Sequence, residues 1–172
     1  MEKRLSFGSE SAIPFKPKIR VHSARAAKPM RSLEITDVKA FPSLTKPDNV
    51  YISYQLYFQL KLQKSVRVGK TGRYIFPAGS YVYTGSAIRN IRKRVIRHIS
   101  GRKKLHWHID YLLSTPGVHL SKIVLSEMRE CELNSRTRGV IAVPGFGATD
   151  CVAGCGSHLK YVNEIKNKRR PK

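Results

Sequence analysis

Residues 83–98 bring together side chains that could act on a phosphodiester. Tyr83 ends a short alternating stretch, and a basic segment carrying Arg94 and His98 follows it directly. Arg94 and His98 are four residues apart, so a helix would place both side chains on one face, one turn apart. Arginine can grip a phosphate through two N–H groups, and histidine, with an ordinary pKa near ~6.5, can exchange a proton. The spacing favours either a surface that holds nucleic acid or a site that cuts it.

A second group of reactive side chains lies near the C-terminus. Cys151, Cys155 and His158 could be three zinc ligands, but the Cys-x3-Cys spacing is loose and no fourth ligand is obvious from the sequence. The surrounding glycines indicate tight turns. The sequence therefore favours a glycine-rich loop with buried thiols over a zinc-dependent enzyme.

The elements that would position these residues follow from the hydrophobic pattern. Apolar residues with helical spacing begin at Ile88, and β-branched and aromatic runs indicate strands. Strands followed by helices with one more strand between them predict an α+β fold, a small, mostly antiparallel sheet flanked by helices. In chain order we expect strands at 50–60, 65–68 and 81–84, helices at 88–100 and 104–114, a strand at 119–126, a helix at 127–136 and a strand at 159–162.

The charge of the chain points to a polyanionic partner. It has 33 Lys and Arg against 11 Asp and Glu, a net charge of +22. Residues 51–172 hold 23 of the basic and 6 of the acidic residues, so the predicted domain is itself cationic. No run approaches the ~20 apolar residues of a transmembrane helix. Nucleic acid is therefore the expected partner, rather than a membrane.

The termini are predicted to lie outside the domain. Residues 1–48 lack apolar periodicity and contain five prolines, which predicts a flexible basic arm; the domain is expected at 49–163, with a basic tail at 164–172. The first residues also fit a transit peptide for a mitochondrion or plastid. Three cysteines cannot all pair within the chain, which favours a reducing, intracellular location, with cytoplasm or nucleus as the alternative to an organelle.

Several short segments in order resemble the GIY-YIG endonuclease superfamily, in particular its Uri branch, also labelled domain of unknown function 123. The segments are "NVY" (49–51), "RVGKTG", "FPAGSYVYTGSA", "RH", "KLHWHIDYLL", "EC" and "VPGFGATDC…CGSHL", spanning roughly residues 49–161. Asn49 and Val50 replace the glycine and isoleucine of the first motif. The resemblance implies a GIY-YIG-like fold for the domain, but not for the arm.

The resemblance also implies roles for individual residues. Tyr51 and Tyr83 would sit on adjacent strands and reach the attacking water, and Arg94 would grip the scissile phosphate. His98 would assist the base or donate to phosphate. Tyr54 is the alternative first-motif tyrosine if the register of that strand differs. Gly85 would let the backbone turn sharply into the helix.

Metal-dependent hydrolysis needs a carboxylate beside these groups. Leu133 is predicted to face the core, so Glu130, three residues earlier, shares its side and is the expected metal ligand and last catalytic residue. Glu132 is the alternative. One carboxylate suits Mg²⁺ or Mn²⁺, since Mg²⁺ keeps several waters and uses few protein ligands.

Other polar residues are expected to bind nucleic acid or to support the site. His106 and Asp110 are predicted to pair on a helix surface, either to anchor that helix or to support the site, with Trp107 as a packing residue. The predicted nucleic-acid-binding residues are Lys70, Arg89, Arg92, Lys93, Arg97, Lys103, Lys104, His106 and His158.

Two functions compete on these grounds. The first is a metal-dependent endonuclease that hydrolyses DNA or RNA with a Tyr/Arg/His/Glu site. The alternative is a domain that has lost cleavage and serves as an RNA-binding component of a larger ribonucleoprotein, such as an organellar ribosome. The charge and the altered first motif favour the alternative, whereas Tyr51, Tyr83, Arg94, His98 and Glu130 favour the enzyme.

Overall fold

The fold is a mostly antiparallel sheet flanked by three helices, as the sequence predicts. The structure, a computed structural model, describes residues 30–44 and 50–162. The strands are β1 (Ser32–Ile35), β2 (Ser53–Leu60), β3 (Lys64–Val68), β4 (Gly72–Phe76), β5 (Gly79–Ser86), β6 (Val118–Ser126) and β7 (Leu159–Val162). The helices are α1 (Ile91–Ile99), α2 (His108–Leu113) and α3 (Glu130–Arg136), with a 3-10 turn at Phe41–Ser43.

Five strands form the central sheet, in the order β1-β6-β2-β5-β7, and β3 pairs with β4 in a separate hairpin. β2 lies in the middle because its alternating large apolar side chains, Leu56, Phe58 and Leu60, are almost fully buried. The core is completed by residues of the helices such as Val95, Ile109 and Leu112. This arrangement places β2 next to α1 and β5 next to α3, while α2 packs on α1.

The helices are shorter than the apolar pattern predicts. Asn90 adopts a left-handed conformation (φ 58°), so α1 begins after it and Ile88 is 82% exposed. The Asp110 carboxylate accepts the backbone N–H groups of His106 and Trp107, which fixes the start of α2. Met128 bonds to the sheet instead: its N–H donates to Ser126 Oγ, and its carbonyl accepts from Ser53 Oγ.

Part of the predicted arm belongs to the folded domain. β1 pairs with β6, and Phe41 is only 2% exposed within the core. The boundary predicted at residue 48 is therefore too late for residues 32–44. Their apolar residues are too few to show a period, and their partners lie far along the chain. The predictions for residues 1–29, for Asn49 and for the tail at 164–172 fall outside the described residues.

Within residues 30–44 and 50–162, none of the helices has the length and apolar character needed to cross a membrane.

We predict that Phe41→Ala lowers the free energy of unfolding by roughly 3–5 kcal/mol, because it empties a buried aromatic site. Leu44→Ala, at a neighbouring position that is 39% exposed, is the control and should change it by less than about 1 kcal/mol. Urea denaturation of the full chain measures both. Equal effects would mean that this segment does not pack on the domain.

Candidate active site and a cysteine–histidine cluster

A chain of hydrogen bonds joins β2, α1 and α2 through three buried side chains. The Tyr54 hydroxyl lies 2.8 Å from His98 Nε2, and His98 Nδ1 lies 2.9 Å from Asp110 Oδ1. Tyr54, His98 and Asp110 are all at most 2% exposed. A Tyr–His–Asp chain of this kind can pass a proton from the phenol to the imidazole.

Asp110 remains ionised in this buried position because it has several donors. Burial acts to raise its pKa, but hydrogen bonds from His98, Arg97 and the backbone N–H groups of Trp107 and His106 hold the pKa well below its usual range. Arg97 donates to Oδ2 at 2.8 Å. The predicted His106–Asp110 pair on a helix surface is therefore wrong, because Asp110 points inward and binds the His106 backbone.

The protonation states of His98 and Tyr54 follow from their burial. Burial lowers the pKa of His98, although Asp110 opposes this shift. Neutral His98 donates Nδ1–H to the Asp110 carboxylate, so its Nε2 accepts the Tyr54 O–H. Burial, reinforced by nearby Tyr83, raises the pKa of Tyr54 well above 10.0, and Arg94 partly offsets this effect. Tyr54 is thus a neutral phenol held against a basic nitrogen.

Tyr83 is a diagonal neighbour of Tyr54 on the same face of the sheet. Tyr54 pairs with Gly85 and Leu56 pairs with Tyr83, so all four residues share one side of β2 and β5. Burial and the nearby Glu130 raise the pKa of Tyr83. Its hydroxyl has no hydrogen-bond partner within the described part of the chain. Tyr83 therefore has an unused polar group at the site.

The structure brings Tyr54, and not Tyr51, to this group. Tyr51 precedes β2 and is half-buried. It lies three positions before Tyr54, which would direct it to the other side of an extended chain. No hydrogen bond joins it to His98, Arg94 or Glu130 among the residues described. The alternative tyrosine of the sequence analysis is the one in the hydrogen-bonded chain.

Arg94 lies beside the tyrosines and is held by Trp107. The guanidinium carbons of Arg94 and Arg97 lie 4.0 and 4.2 Å from the centroid of the Trp107 ring. This stacking leaves the N–H groups of Arg94 available, since they form no ion pair with any described residue. Arg97, in contrast, is engaged by Asp110 and the Lys104 carbonyl.

Glu130 is the glutamate that reaches the site. Its Oε2 accepts the Ser86 hydroxyl at 2.6 Å, and its Oε1 lies 2.9 Å from His158 Nδ1. This contact does not meet the geometry of a hydrogen bond, so the carboxylate and the imidazole attract each other by charge only when His158 is protonated. Glu132 pairs with Arg136, and Glu127 pairs with Arg31, both at the surface.

The predicted nucleic-acid-binding residues divide into three that bond to the protein, one that is buried and five that are exposed. Three donate to the protein itself: Arg92 to the Pro42 carbonyl, Lys103 to the His98 carbonyl and Arg97 as described above. His158 is buried. The exposed set consists of Lys70, Arg89, Lys93, Lys104 and His106.

A cluster of soft ligands lies behind Glu130. The ligand atoms of Cys131, Cys151, Cys155 and His158 are all within 4.8 Å of one another. The fourth partner is not apparent from the sequence because Cys131 lies on α3, twenty residues before Cys151. The "ECE" segment at 130–132, which contains Glu130, also contains this cysteine. It was the sequence signal that could have indicated a fourth ligand.

The thiols of the cluster do not titrate alike. A hydrogen bond from the Cys155 backbone lowers the pKa of Cys151 to about 6. Burial raises the pKa of Cys131 to about 12, with the neighbouring thiols adding to this shift. Cys151 therefore loses its proton more readily than Cys131 and forms the thiolate, the form that binds metals, more easily.

Gly85 is required for space rather than for a turn. A Cβ on Gly85 would lie 3.0 Å or less from three atoms of the Tyr54 phenol, and its φ is not in the left-handed region. This corrects the sharp turn that the resemblance implied. The glycine lets the Tyr54 hydroxyl pass over β5 to reach His98.

We predict that Gly85→Ala destabilises the protein by roughly 1–3 kcal/mol, because the new methyl group overlaps a packed ring. Gly101→Ala is the matched control, since a Cβ there meets nothing within 4 Å. Urea denaturation compares the two variants. If Gly101→Ala costs as much, the close approach of Tyr54 is not the reason for the glycine.

Comparison with known proteins identifies a family for most of this fold. Residues 53–171 match the family described as "Domain of unknown function DUF123". No curated protein and no solved structure matches the chain. Since the match covers more than half of the sequence, this protein belongs to the DUF123 family.

Proposed function

We propose that this protein is a metal-dependent endonuclease of the GIY-YIG type that hydrolyses phosphodiester bonds of DNA or RNA. The observation that carries the proposal is the hydrogen-bonded chain Tyr54–His98–Asp110, with Tyr83 and Arg94 beside it. A base, a free cation and a carboxylate at one place are the groups that phosphodiester hydrolysis needs. The short sequence segments around Tyr83 and His98 that resemble the GIY-YIG superfamily also support an endonuclease.

In this proposal Tyr54 replaces Tyr51 as the tyrosine of the first motif. A water molecule loses its proton to the Tyr54 oxygen while Tyr54 passes its own proton to His98 Nε2. The resulting imidazolium is stabilised by the Asp110 carboxylate at 2.9 Å. The water oxygen attacks phosphorus, and the leaving oxygen takes a proton from solvent. Tyr83 orients the water with its free hydroxyl.

Arg94 meets the charge that develops on the phosphate. Its guanidinium is stacked on Trp107 and needs no rearrangement to present its N–H groups. Donors that are fixed in advance stabilise a transition state better than mobile ones. The exposed residues Arg89, just before α1, and Lys93, on α1, would hold neighbouring phosphates.

Glu130 is the residue suited to hold Mg²⁺ or Mn²⁺. Its carboxylate faces both tyrosines closely enough to raise the pKa of each. One of its oxygens is held only by the Ser86 hydroxyl, which can rotate away. A bound ion would act as a Lewis acid on the phosphate.

The test is cleavage of labelled single-stranded, duplex and branched DNA and RNA by the full chain, with Mg²⁺ or Mn²⁺ and after chelation. Tyr54→Phe should reduce the cleavage rate by roughly 10²–10⁴-fold, because it removes the proton relay. Tyr51→Phe is the control and should retain near-normal activity. If Tyr51→Phe is the inactive variant, the assignment of Tyr54 is wrong.

Arg94→Ala separates cutting from binding. It should abolish cleavage and leave most affinity, because the exposed cations remain, whereas Lys93→Ala should affect affinity alone. A wild-type protein that binds RNA but never cleaves would support the alternative, a ribonucleoprotein component. A protein that binds neither DNA nor RNA at low salt would refute both proposals.

The pH dependence of cleavage follows from His98. Below the pKa of His98 its Nε2 carries a proton and cannot accept one from Tyr54, so kcat/KM should fall as the pH drops. Because burial lowers this pKa from 6.5, the inflection should lie below pH 6.5 and activity should be level above it. Initial rates between about pH 5 and pH 8 measure it. An inflection above pH 6.5 would exclude neutral His98 as the proton acceptor.

A further inference from the structure

We propose that Cys131, Cys151, Cys155 and His158 bind a structural Zn²⁺ ion, separate from the carboxylate site. The four residues come from α3, from the loop after it and from the residue just before β7. Three thiolates and one imidazole form a recognised structural zinc ligand set. This proposal does not depend on nuclease activity.

The distances match a tetrahedral site. Zinc–sulfur bonds of about 2.3 Å place the ligand atoms of a tetrahedron roughly 3.8 Å apart. Cys131 Sγ lies 3.6 Å from Cys151 Sγ and 3.9 Å from His158 Nε2. All four ligand atoms lie within 4.8 Å of one another. Small side-chain movements therefore suffice to enclose an ion.

The segment 137–158 has little regular structure that could hold it in place, and a bound metal would fix it to the domain. It contains no helix and no strand beyond a single bridge at Val140, although loops longer than roughly 12–15 residues usually have structure or a function. Its turns place Gly154 and Gly156 at φ of 68° and 71°. A metal that joins this loop to α3 would add its binding free energy to the stability of the fold, because the site does not exist in the unfolded chain.

His158 is oriented for ligation by its other contacts. It is buried, its backbone carbonyl accepts Thr84 N–H at 2.9 Å, and its Nδ1 faces Glu130. In many metal sites the far nitrogen of a ligating histidine donates its N–H to a carboxylate, which fixes the ring and strengthens it as a ligand. Glu130 Oε1, 2.9 Å from Nδ1, is close enough to accept this bond after a small rotation of either side chain. Nε2 is thereby left to face the three sulfurs. Four protein ligands leave no open position, so the ion would be structural rather than catalytic.

The first experiment measures metal in the full chain, purified under reducing conditions without an affinity tag. Elemental analysis should find about one zinc per chain. Cys131→Ser and His158→Ala should lose it, whereas His119→Ala, which changes an exposed histidine outside the cluster, should retain it. Zinc below a tenth of an equivalent after reconstitution, or equal retention in all variants, would overturn the proposal.

A second measurement uses wild-type protein, so it remains valid if the variants fail to fold. Co²⁺ added to metal-free wild-type protein should give the intense visible bands of a tetrahedral ion and the ultraviolet bands of thiolate ligation. Weak octahedral bands would exclude the site. Intact mass of protein purified without reductant distinguishes free thiols from a Cys131–Cys151 disulfide, whose presence in most molecules would also refute the proposal.

Glu130→Gln tests the link to His158. It should keep one zinc per chain but weaken affinity by roughly 10–100-fold in a chelator competition, as loss of such supporting contacts does. Glu132→Gln is the control, since that carboxylate contacts Arg136 at the surface. Equal affinities of the two variants would mean that Glu130 does not orient the histidine.

Discussion

The buried charge of Asp110 is the constraint on which the site depends. A carboxylate with no exposure must be paired and hydrogen-bonded, because desolvation otherwise neutralises it. Its donors come from α1 and from the start of α2, so the charge draws the two helices together. The same contacts fix which nitrogen of His98 carries the proton. Tyr54 therefore has an unprotonated ring nitrogen to donate to. The hydrogen bonding of this strand residue thus depends on how α1 and α2 pack together.

The local parts of this arrangement could be predicted from the sequence. The strand ending at Tyr83 and the helix carrying Arg94 and His98 are adjacent in the chain, and periodicity alone locates them. The predicted α+β fold was confirmed because periodicity also locates most of the other strands and helices. The identity of the partner tyrosine could not be predicted, because it depends on the register that pairs Tyr54 with Gly85. A strand's register is set by its partners as well as by its own pattern.

Residues with distant partners account for the other differences. β1 joins the sheet because β6 offers an open edge, and Phe41 is buried where the 3-10 turn packs near α1. No window around residue 40 reveals either partner. Cys131 resembles an isolated helical cysteine until the loop at 151–158 folds back on it. The burial of Asp110 was missed because spacing of four residues suggested a surface pair, whereas tertiary contacts from α1 decided its direction.

Glu130 lies between the residues around Tyr54 and the cysteine–histidine cluster. One oxygen contacts Ser86, next to the glycine that admits Tyr54, and the other contacts His158 of the cysteine cluster. In a chain with 11 acidic residues against 33 basic ones, few carboxylates are available to hold cations. Two of them, Asp110 and Glu130, lie close enough to Tyr54 and Tyr83 to raise the pKa of both phenols. Each of these two carboxylates contacts a histidine, Asp110 at His98 and Glu130 at His158. In the proposed function the surrounding positive charge attracts the phosphates of the substrate.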